Sequence, residues 1–421
     1  VTYTPSAEAV EEFKVQQTNF SAEYGFSGAS VVNMITRSGG NSFHGSAYDF
    51  IRNQMTDANN WFNNEGGIPL PPVHRNNYGG TFGGPIIKNK TFFFFDWDGT
   101  RSSSMGTYQA GVPSAAERNG DFGGLCAANG GTFNSAGLCS VAAGQLWDPY
   151  TGAFQTPVNG AAGAYRSAPI PFNSLATYRS PGNPTLNNTP YQLPQVPGNL
   201  IDPVAQKMMG LFPMPNFNSG NVYDNWIASG ASPGANDQFD IKIDQRFSER
   251  NLLSVKYSQG WNGTTPYNCF KNLTDPCGSG QNQGSSHLFA INDTQTFSPT
   301  LLLTSTFGFT RGATLIDAYN KSLNSNPLGA LGFPSYLGSN GFLGVPAIAI
   351  NDYYSAGYTS IGQDPYGNYR QGQDTGQLTE LLTKIHGTHE LKFGFEGRLH
   401  QQNYIQTNAP LGLFSFNSLG S

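Results

Sequence analysis

Gln238-Phe239-Asp240-Ile241-Lys242-Ile243-Asp244-Gln245-Arg246-Phe247 is the stretch on which the fold turns. Successive side chains of an extended strand point to opposite faces, so Phe239, Ile241, Ile243 and Phe247 share one side. Gln238, Asp240, Lys242, Asp244 and Arg246 share the other. Glu390–His400 repeats the pattern, with Leu391, Phe393, Phe395 and Leu399 opposite Glu390, Lys392, Glu396, Arg398 and His400. One face suits an apolar medium and the other suits water. A half-buried soluble sheet and a barrel with lipid outside and a wet lumen both meet that condition.

Spacing decides between them. Tight turns are expected at Ser248–Asn251, Ser298-Pro299, His386–Thr388 and Lys88–Lys90. They join strands near 236–247 and 252–261, 286–297 and 300–311, 374–385 and 389–401, and 76–87 and 91–101. Between these hairpins run long connections at about 54–75, 102–235, 262–285 and 312–373. Outer-membrane barrels alternate short periplasmic turns with long extracellular loops in this way, whereas a soluble sandwich has no such requirement. With a strand at 43–53 the total is about nine, each near the 9–11 residues of a tilted spanning strand. In the loop at 102–235, Asp202-Pro203 has the form of an N-cap and first helical residue. Val204, Met208 and Leu211 then line one face of a short amphipathic helix near 203–212, and a second helix start follows Pro113-Ser114.

Composition agrees. Of 421 residues, 12% are charged and 13% aromatic, with 52 Gly and 27 Pro. Gly and Pro weaken helix interiors, so short strands joined by irregular loops fit better than a helical enzyme. The net charge of −5 includes no basic block, which removes the electrostatic footprint of a nucleic-acid binder. No apolar run reaches the length of a transmembrane helix, a test to which barrel strands are blind. No secretory signal follows Val1, and Phe414-Ser415-Phe416-Asn417 has the look of the middle of a strand, so both ends read as cuts. Cys126, Cys139, Cys269 and Cys277 allow three pairings, of which two local pairs are the simplest and idle thiols the alternative.

Ala9–Val15, Ser21-Ala22-Glu23-Tyr24-Gly25, Ser27-Gly28-Ala29 and Val31–Gly39 follow one another near the start. Phe43–Phe50, Asn77–Phe94, Val112–Arg118, Asp202–Asn216 and Gly387–Gly394 come later, in order. This ordered set resembles the TonB-dependent receptors and, within them, the large Oar-like group. The early segments are similar to late plug strands of that family, and Phe43–Phe50 and Asn77–Phe94 to its first barrel strands. Ala29-Ser30 stand where the family commonly has two adjacent glycines. Gly25 and Gly28 suit tight plug turns, and Gly79, Gly80, Gly83 and Gly84 suit a bend or plug contact.

The expectation is therefore an all-β chain, a partial antiparallel transmembrane barrel of about nine strands with a plug remnant. Residues 1–40 would be the C-terminal part of the plug and 41–421 the N-terminal part of the barrel, with long extracellular loops near 102–235 and 312–373. Phe92–Phe95 and Trp97 are expected to combine lipid-facing side chains with an interfacial girdle. Asp240, Lys242, Asp244, Arg246, Lys392, Glu396 and Arg398 are lumen-facing candidates. Asp96-x-Asp98-Gly99 lacks the later ligands of a calcium loop, and His386 with His389 lacks a third metal ligand. No hydrolase elbow, Walker loop or dinucleotide fingerprint occurs, so no enzyme, cofactor or metal is expected. The resemblance implies outer-membrane lipid as surroundings, a TonB complex acting through an N-terminal segment absent here, and a siderophore, cobalamin, glycan or peptide as ligand. The alternatives are an Oar-like role in export or adhesion and a secreted soluble β-rich binding protein.

Overall fold

The computed structural model describes residues 3–17, 30–59, 61, 64, 69–70, 72–118, 122–148, 151–158, 161–171, 202–218, 224–272, 280–317, 326–339, 342–350, 361–362 and 368–416. Strands β1 (Val10–Gln17) and β2 (Ser30–Thr36) pair with each other alone. The large sheet comprises β3 (His44–Asn53), β4 (Val73–Ile87), β5 (Thr91–Ala110), β8 (Trp226–Ser248), β9 (Asn251–Thr264), β10 (Gln281–Ser298), β11 (Leu301–Asp317), β13 (Tyr369–His386) and β14 (His389–Gln406). The hairpin β6 (Gly152–Val158) and β7 (Ala161–Arg166), and the parallel pair β12 (Ala347–Ile350) and β15 (Leu413–Phe416), form two further small sheets.

The nine strands form one antiparallel meander in the order β3-β4-β5-β8-β9-β10-β11-β13-β14, with every strand beside its predecessor in the wall. All nine expected strands are present, and the tight turns fall where turn chemistry puts them. Asn89 and Gly387 take left-handed φ values of 62° and 60° at two of them, residue types that tolerate this conformation. At the opposite end the strands run further than alternation alone indicates. β5 has 20 residues and β8 has 23, paired throughout, so their loop shortens to 111–225. The added segments, Ser102–Ala110 and Trp226–Ala235, are rich in small residues and carry no apolar period. Backbone hydrogen bonding holds them.

The long loops share a core. Val112, Met208, Phe212, Trp226, Phe270, Val345 and Ile361 pack together above the strand ends. The Asp202 carboxylate accepts from the N–H groups of Val204 (2.7 Å) and Ala205 (3.0 Å), capping the helix Pro203–Met209 and turning Met208 into that core. Ser114 and Glu117 form a reciprocal capping box, 2.7 and 3.2 Å, at the helix Ala115–Arg118. Arg118 then donates to the carbonyls of Met209, Phe212 and Pro213, tying two segments of the loop together.

Two further expectations change. Phe414 and Phe416 belong to β15, which pairs in parallel with β12 of a loop and adds nothing to the large sheet. Phe92 and Phe94 leave the outward set, because alternation along β5 turns them away from Phe93, Phe95 and Trp97, and Phe94 is buried. Gly79 and Gly84 of β4 are sites of close approach, and Gly84 also lies against the N-terminal segment, its carbonyl 2.7 Å from where a Cβ at Gly39 would stand. A Cβ at Gly84 would meet the Phe43 ring at 2.2 Å, and one at Gly79 the Tyr48 hydroxyl at 2.5 Å. Gly25, Gly28 and Asn417 lie outside the described residues.

Candidate functional site

The large sheet has its burial inverted relative to a soluble protein. Ile241, Ile243, Leu391, Phe393, Phe395 and Leu399 are all exposed, Phe393 and Phe395 by 61% and 63%. Register continues this outer face across strands, with Phe95 opposite Ile241, Ile241 opposite Tyr257, Tyr257 opposite Phe289, and Phe289 opposite Phe309. The other face buries Asp96 (0% exposed), Asp98, Asp240 (1%), Asp244, Ser258 and Ser286. Apolar surface left in water would cost about 25 cal/mol per Å2, and buried carboxylates need partners. A wall with lipid outside and a polar interior satisfies both conditions.

Two polar rows cross the outer face of β10, β11 and β13: His287, Arg311 and Asp374 on the loop side of Phe289 and Phe309, and a second row on the turn side. In the second, Asp293, Ser305 and Glu380 are direct neighbours. Ser305 Oγ donates to Glu380 Oε2 at 2.5 Å, and Asn251 Nδ2 to Asp293 Oδ1 at 2.9 Å.

The inner face holds the N-terminal segment. Tyr3 OH donates to Asp240 Oδ2, while Ser258 Oγ (2.5 Å) and Lys256 Nζ (3.0 Å) engage the other oxygen. The Lys256 ammonium also lies over the Tyr3 ring, 5.6 Å from its centroid. Burial, reinforced by the Asp240 charge, pushes the Tyr3 phenol above its ordinary range, so it remains a donor at physiological pH. Ser6 Oγ donates to Asp96 Oδ2 at 2.8 Å and accepts from the Ala9 N–H at 3.1 Å. Gln238, with its amide oriented to satisfy both partners, spans Thr4 O and the Ser6 N–H at 3.0 Å each. Lys242 Nζ donates to Thr36 O (3.1 Å), at the end of β2, and to Ser38 Oγ (2.7 Å), just beyond it. A Cβ at Gly39 would lie 2.3 Å from the Phe93 carbonyl, so only glycine lets the segment come this close to the wall. Asp96 Oδ1 and Asp244 Oδ2 are buried without a hydrogen-bond partner among the described residues, so the joint is incompletely satisfied.

The sequence-derived candidates fall in three places. Asp240, Lys242 and Asp244 meet at the N-terminal segment, with Lys242 and Asp244 4.0 Å apart. Arg246 is exposed near the turn, where its backbone N–H donates to Lys90 O. Lys392, Glu396 and Arg398 stand on β14 at the far edge of the sheet, where Arg398 pairs with Glu396 and Lys392 with Glu390 at 3.6 Å. Tyr3, Ser6, Lys256 and Ser258 were not singled out from the sequence, and Asp96 only within the incomplete calcium-loop pattern. The alternation of Phe93, Phe95 and Trp97 with Phe94, Asp96 and Asp98 is the signal that marks Asp96 and Asp98 as inward.

In the loops, Cys126 and Cys139 form a disulfide with Cα atoms 5.7 Å apart, and Cys269 is also disulfide-bonded. Cys277 lies outside the described residues.

Parts of this chain are similar to known proteins. The TonB-dependent transporter Oar of Myxococcus xanthus is 32% identical over 93 residues, which are 21% of this chain and 9% of that protein. Among solved structures, the ferric-catecholate import receptor Fiu of E. coli K12 is 12% identical, with 95% of this chain and 51% of that one covered and a TM-score of 0.37. The siderophore receptor PirA of Acinetobacter baumannii is 13% identical, with coverages of 94% and 45% and a TM-score of 0.33. The chain thus spans a small part of Oar and about half of each solved receptor. Residues 35–421 match the family model described as the outer membrane beta barrel domain, and the chain belongs to that family as a β-barrel wall of the outer membrane.

Proposed function

We propose that residues 1–40 are the last part of a plug and 41–421 the first part of the wall of a TonB-dependent receptor that carries a ligand across the outer membrane. The observation that supports this most is the attachment of the N-terminal segment to the inner face through a small set of polar contacts: Tyr3–Asp240, Ser6–Asp96 and Lys242 with Thr36 and Ser38. Hydrogen bonds involving charged groups contribute only about 1.5–3 kcal/mol each, because water replaces them on separation. A joint of this kind keeps a lumen closed at rest and yields to a pull. An apolar joint of similar extent would resist more strongly.

In this reading the long loops at 111–225 and 318–368, the parts of 102–235 and 312–373 outside the strands of the wall, face the outside and capture ligand. The inner-membrane TonB complex then draws on the plug and opens a path along the lumen wall. Asp240, Lys242, Asp244 and Arg246, with Lys392, Glu396 and Arg398 further round, line that path with groups that tolerate water. The relatives are transporters and receptors, and the chemistry is binding and displacement. The ligand belongs among siderophores, cobalamin, glycans and peptides.

The test replaces Ser6 and Asp96 with cysteine and bridges them with dibromobimane in the outer-membrane protein that carries this chain. Cells with and without the gene are offered members of those ligand classes, with and without a protonophore. Uptake that needs the gene, stops with the protonophore and stops on bridging, but not in either single-cysteine control, supports the reading. Uptake indifferent to both treatments rejects it.

A further inference from the structure

The inner face changes character one row to the loop side of Asp240. Beyond it Asn236, Asn262, Gly284, Thr314, Gln371 and Tyr404 stand side by side from β8 to β14. Neither neighbouring inward row, from Gln238 to Gln402 or from Gly234 to Gln406, holds a charged side chain. Amides, hydroxyls, tyrosines and glycines occupy these rows, with Ile316 as the one aliphatic side chain. Asp98, which extends the Gln238 row onto β5, is taken up by Tyr48 and Asn77. Where this surface meets the N-terminal segment, Tyr3, Thr4, Asn236, Gln238, Asn262 and Ser286 surround a cleft of about 180 Å3. Gly260 and Gly284 line it without a side chain to fill it. At the other end the Tyr369 and Tyr404 rings meet edge to face, 5.3 Å between centroids, and Tyr404 is 52% exposed. Their hydroxyls donate to Gln371 and Gln406, which fixes both rings on the wall.

The chemistry of such a surface selects its ligand. An amide presents donors and an acceptor side by side, the pattern that adjacent sugar hydroxyls match. Tyrosine rings offer apolar faces to the C–H side of a pyranose. An anionic iron chelate, or a peptide with charged termini, would leave its charge without a partner here. From Asn236 to Tyr404 the row crosses five strand spacings, roughly 24 Å, the length of several sugar rings. We propose that these rows bind a neutral oligosaccharide, with one ring in the cleft at Tyr3 and another against Tyr404. The inference deepens the receptor reading and rests on it: the oligosaccharide is the ligand taken up, held on the loop side of the joint before the plug moves.

Two variants test the surface. Asn262→Leu removes an amide beside the cleft, and Tyr404→Ala removes the ring at the other end. Both side chains are exposed, so neither change opens a packed core. The protein that carries this chain is purified in lauryldimethylamine oxide, a detergent without a sugar headgroup. It is titrated calorimetrically with neutral hexasaccharides of glucose, mannose, galactose and xylose and, in parallel, with a ferric tris-catecholate. Heat-modifiability on gels confirms that each variant is folded. At least one hexasaccharide should bind, and each variant should weaken it about two- to tenfold, the loss of one uncharged contact. The ferric chelate should not bind. Absence of binding by every hexasaccharide, equal binding by wild type and either folded variant, or a ferric chelate bound as tightly as the sugar overturns the proposal. Uptake by cells separates this inference from the receptor reading. Protonophore-sensitive uptake of the ferric chelate alone overturns the oligosaccharide and keeps the receptor. Oligosaccharide that binds as proposed but enters despite the protonophore overturns the receptor reading, and with it the uptake of this ligand.

Discussion

Replacing Ile241 by arginine is nearly neutral on a face in water and strongly destabilising on a face in lipid. Ile241 is 41% exposed on the outer face, between Phe95 of β5 and Tyr257 of β9. On a soluble surface such a change would shift stability by no more than about 0.5 kcal/mol, because the guanidinium would be hydrated. On the lipid face near the midplane it costs roughly 2–4 kcal/mol, a ~30- to 900-fold shift in the folding equilibrium. The assay is urea-dependent folding of the outer-membrane protein into phospholipid vesicles, followed by heat-modifiability on gels. Ile241→Arg should lower the folded fraction, and Ile241→Leu should not. Wild-type folding of the arginine variant would refute the assignment of this face to lipid.

Other consequences follow from the same geometry. Lys242→Ala removes two charge-assisted bonds to Thr36 and Ser38 and should loosen the N-terminal segment by about 3–6 kcal/mol. Faster amide exchange confined to β2 would reveal this, and unchanged exchange would show that the bonds do not hold the segment. Glu380→Leu should raise stability in vesicles by about 1 kcal/mol or more, since it takes a polar carboxyl group off the lipid face. A loss would mean that a polar partner covers the row. Reduction of Cys126–Cys139 should release about 3 kcal/mol of loop restraint. An impermeant thiol reagent should then label both positions on intact cells, and a need to permeabilise the outer membrane would reverse the orientation.

Strand positions and faces were legible because lipid on one side and water on the other impose a period of two. Gln238–Phe247 and Glu390–His400 carry that period clearly. It fades where the strands leave the lipid, so the outer halves of β5 and β8 are invisible to it although their backbones remain paired. The loop core was legible only in part. The Val204, Met208 and Leu211 face signalled an apolar partner, but the partner is assembled from Val112, Trp226, Phe270 and Val345, far apart in sequence. The inner site was half visible. Asp240, Lys242 and Asp244 announced a polar wall, whereas Tyr3 and Ser6 join it through contacts across 237 and 90 residues. No local pattern encodes such contacts. Asp293 and Glu380 run against the pattern, and Ser305 and Asn251 provide the hydrogen bonds that accompany them.

The most direct test of a lipid-facing wall with a polar interior is spin-label accessibility in vesicles, read residue by residue along β8 and β14. Labels at Ile241, Ile243, Leu391, Phe393 and Phe395 should collide readily with oxygen and poorly with a water-soluble nickel chelate. Labels at Asp240, Lys242, Glu396 and Arg398 should lack that lipid signature, giving a period of two along each strand. Nickel access at the apolar positions, or a pattern without period two, would contradict the account.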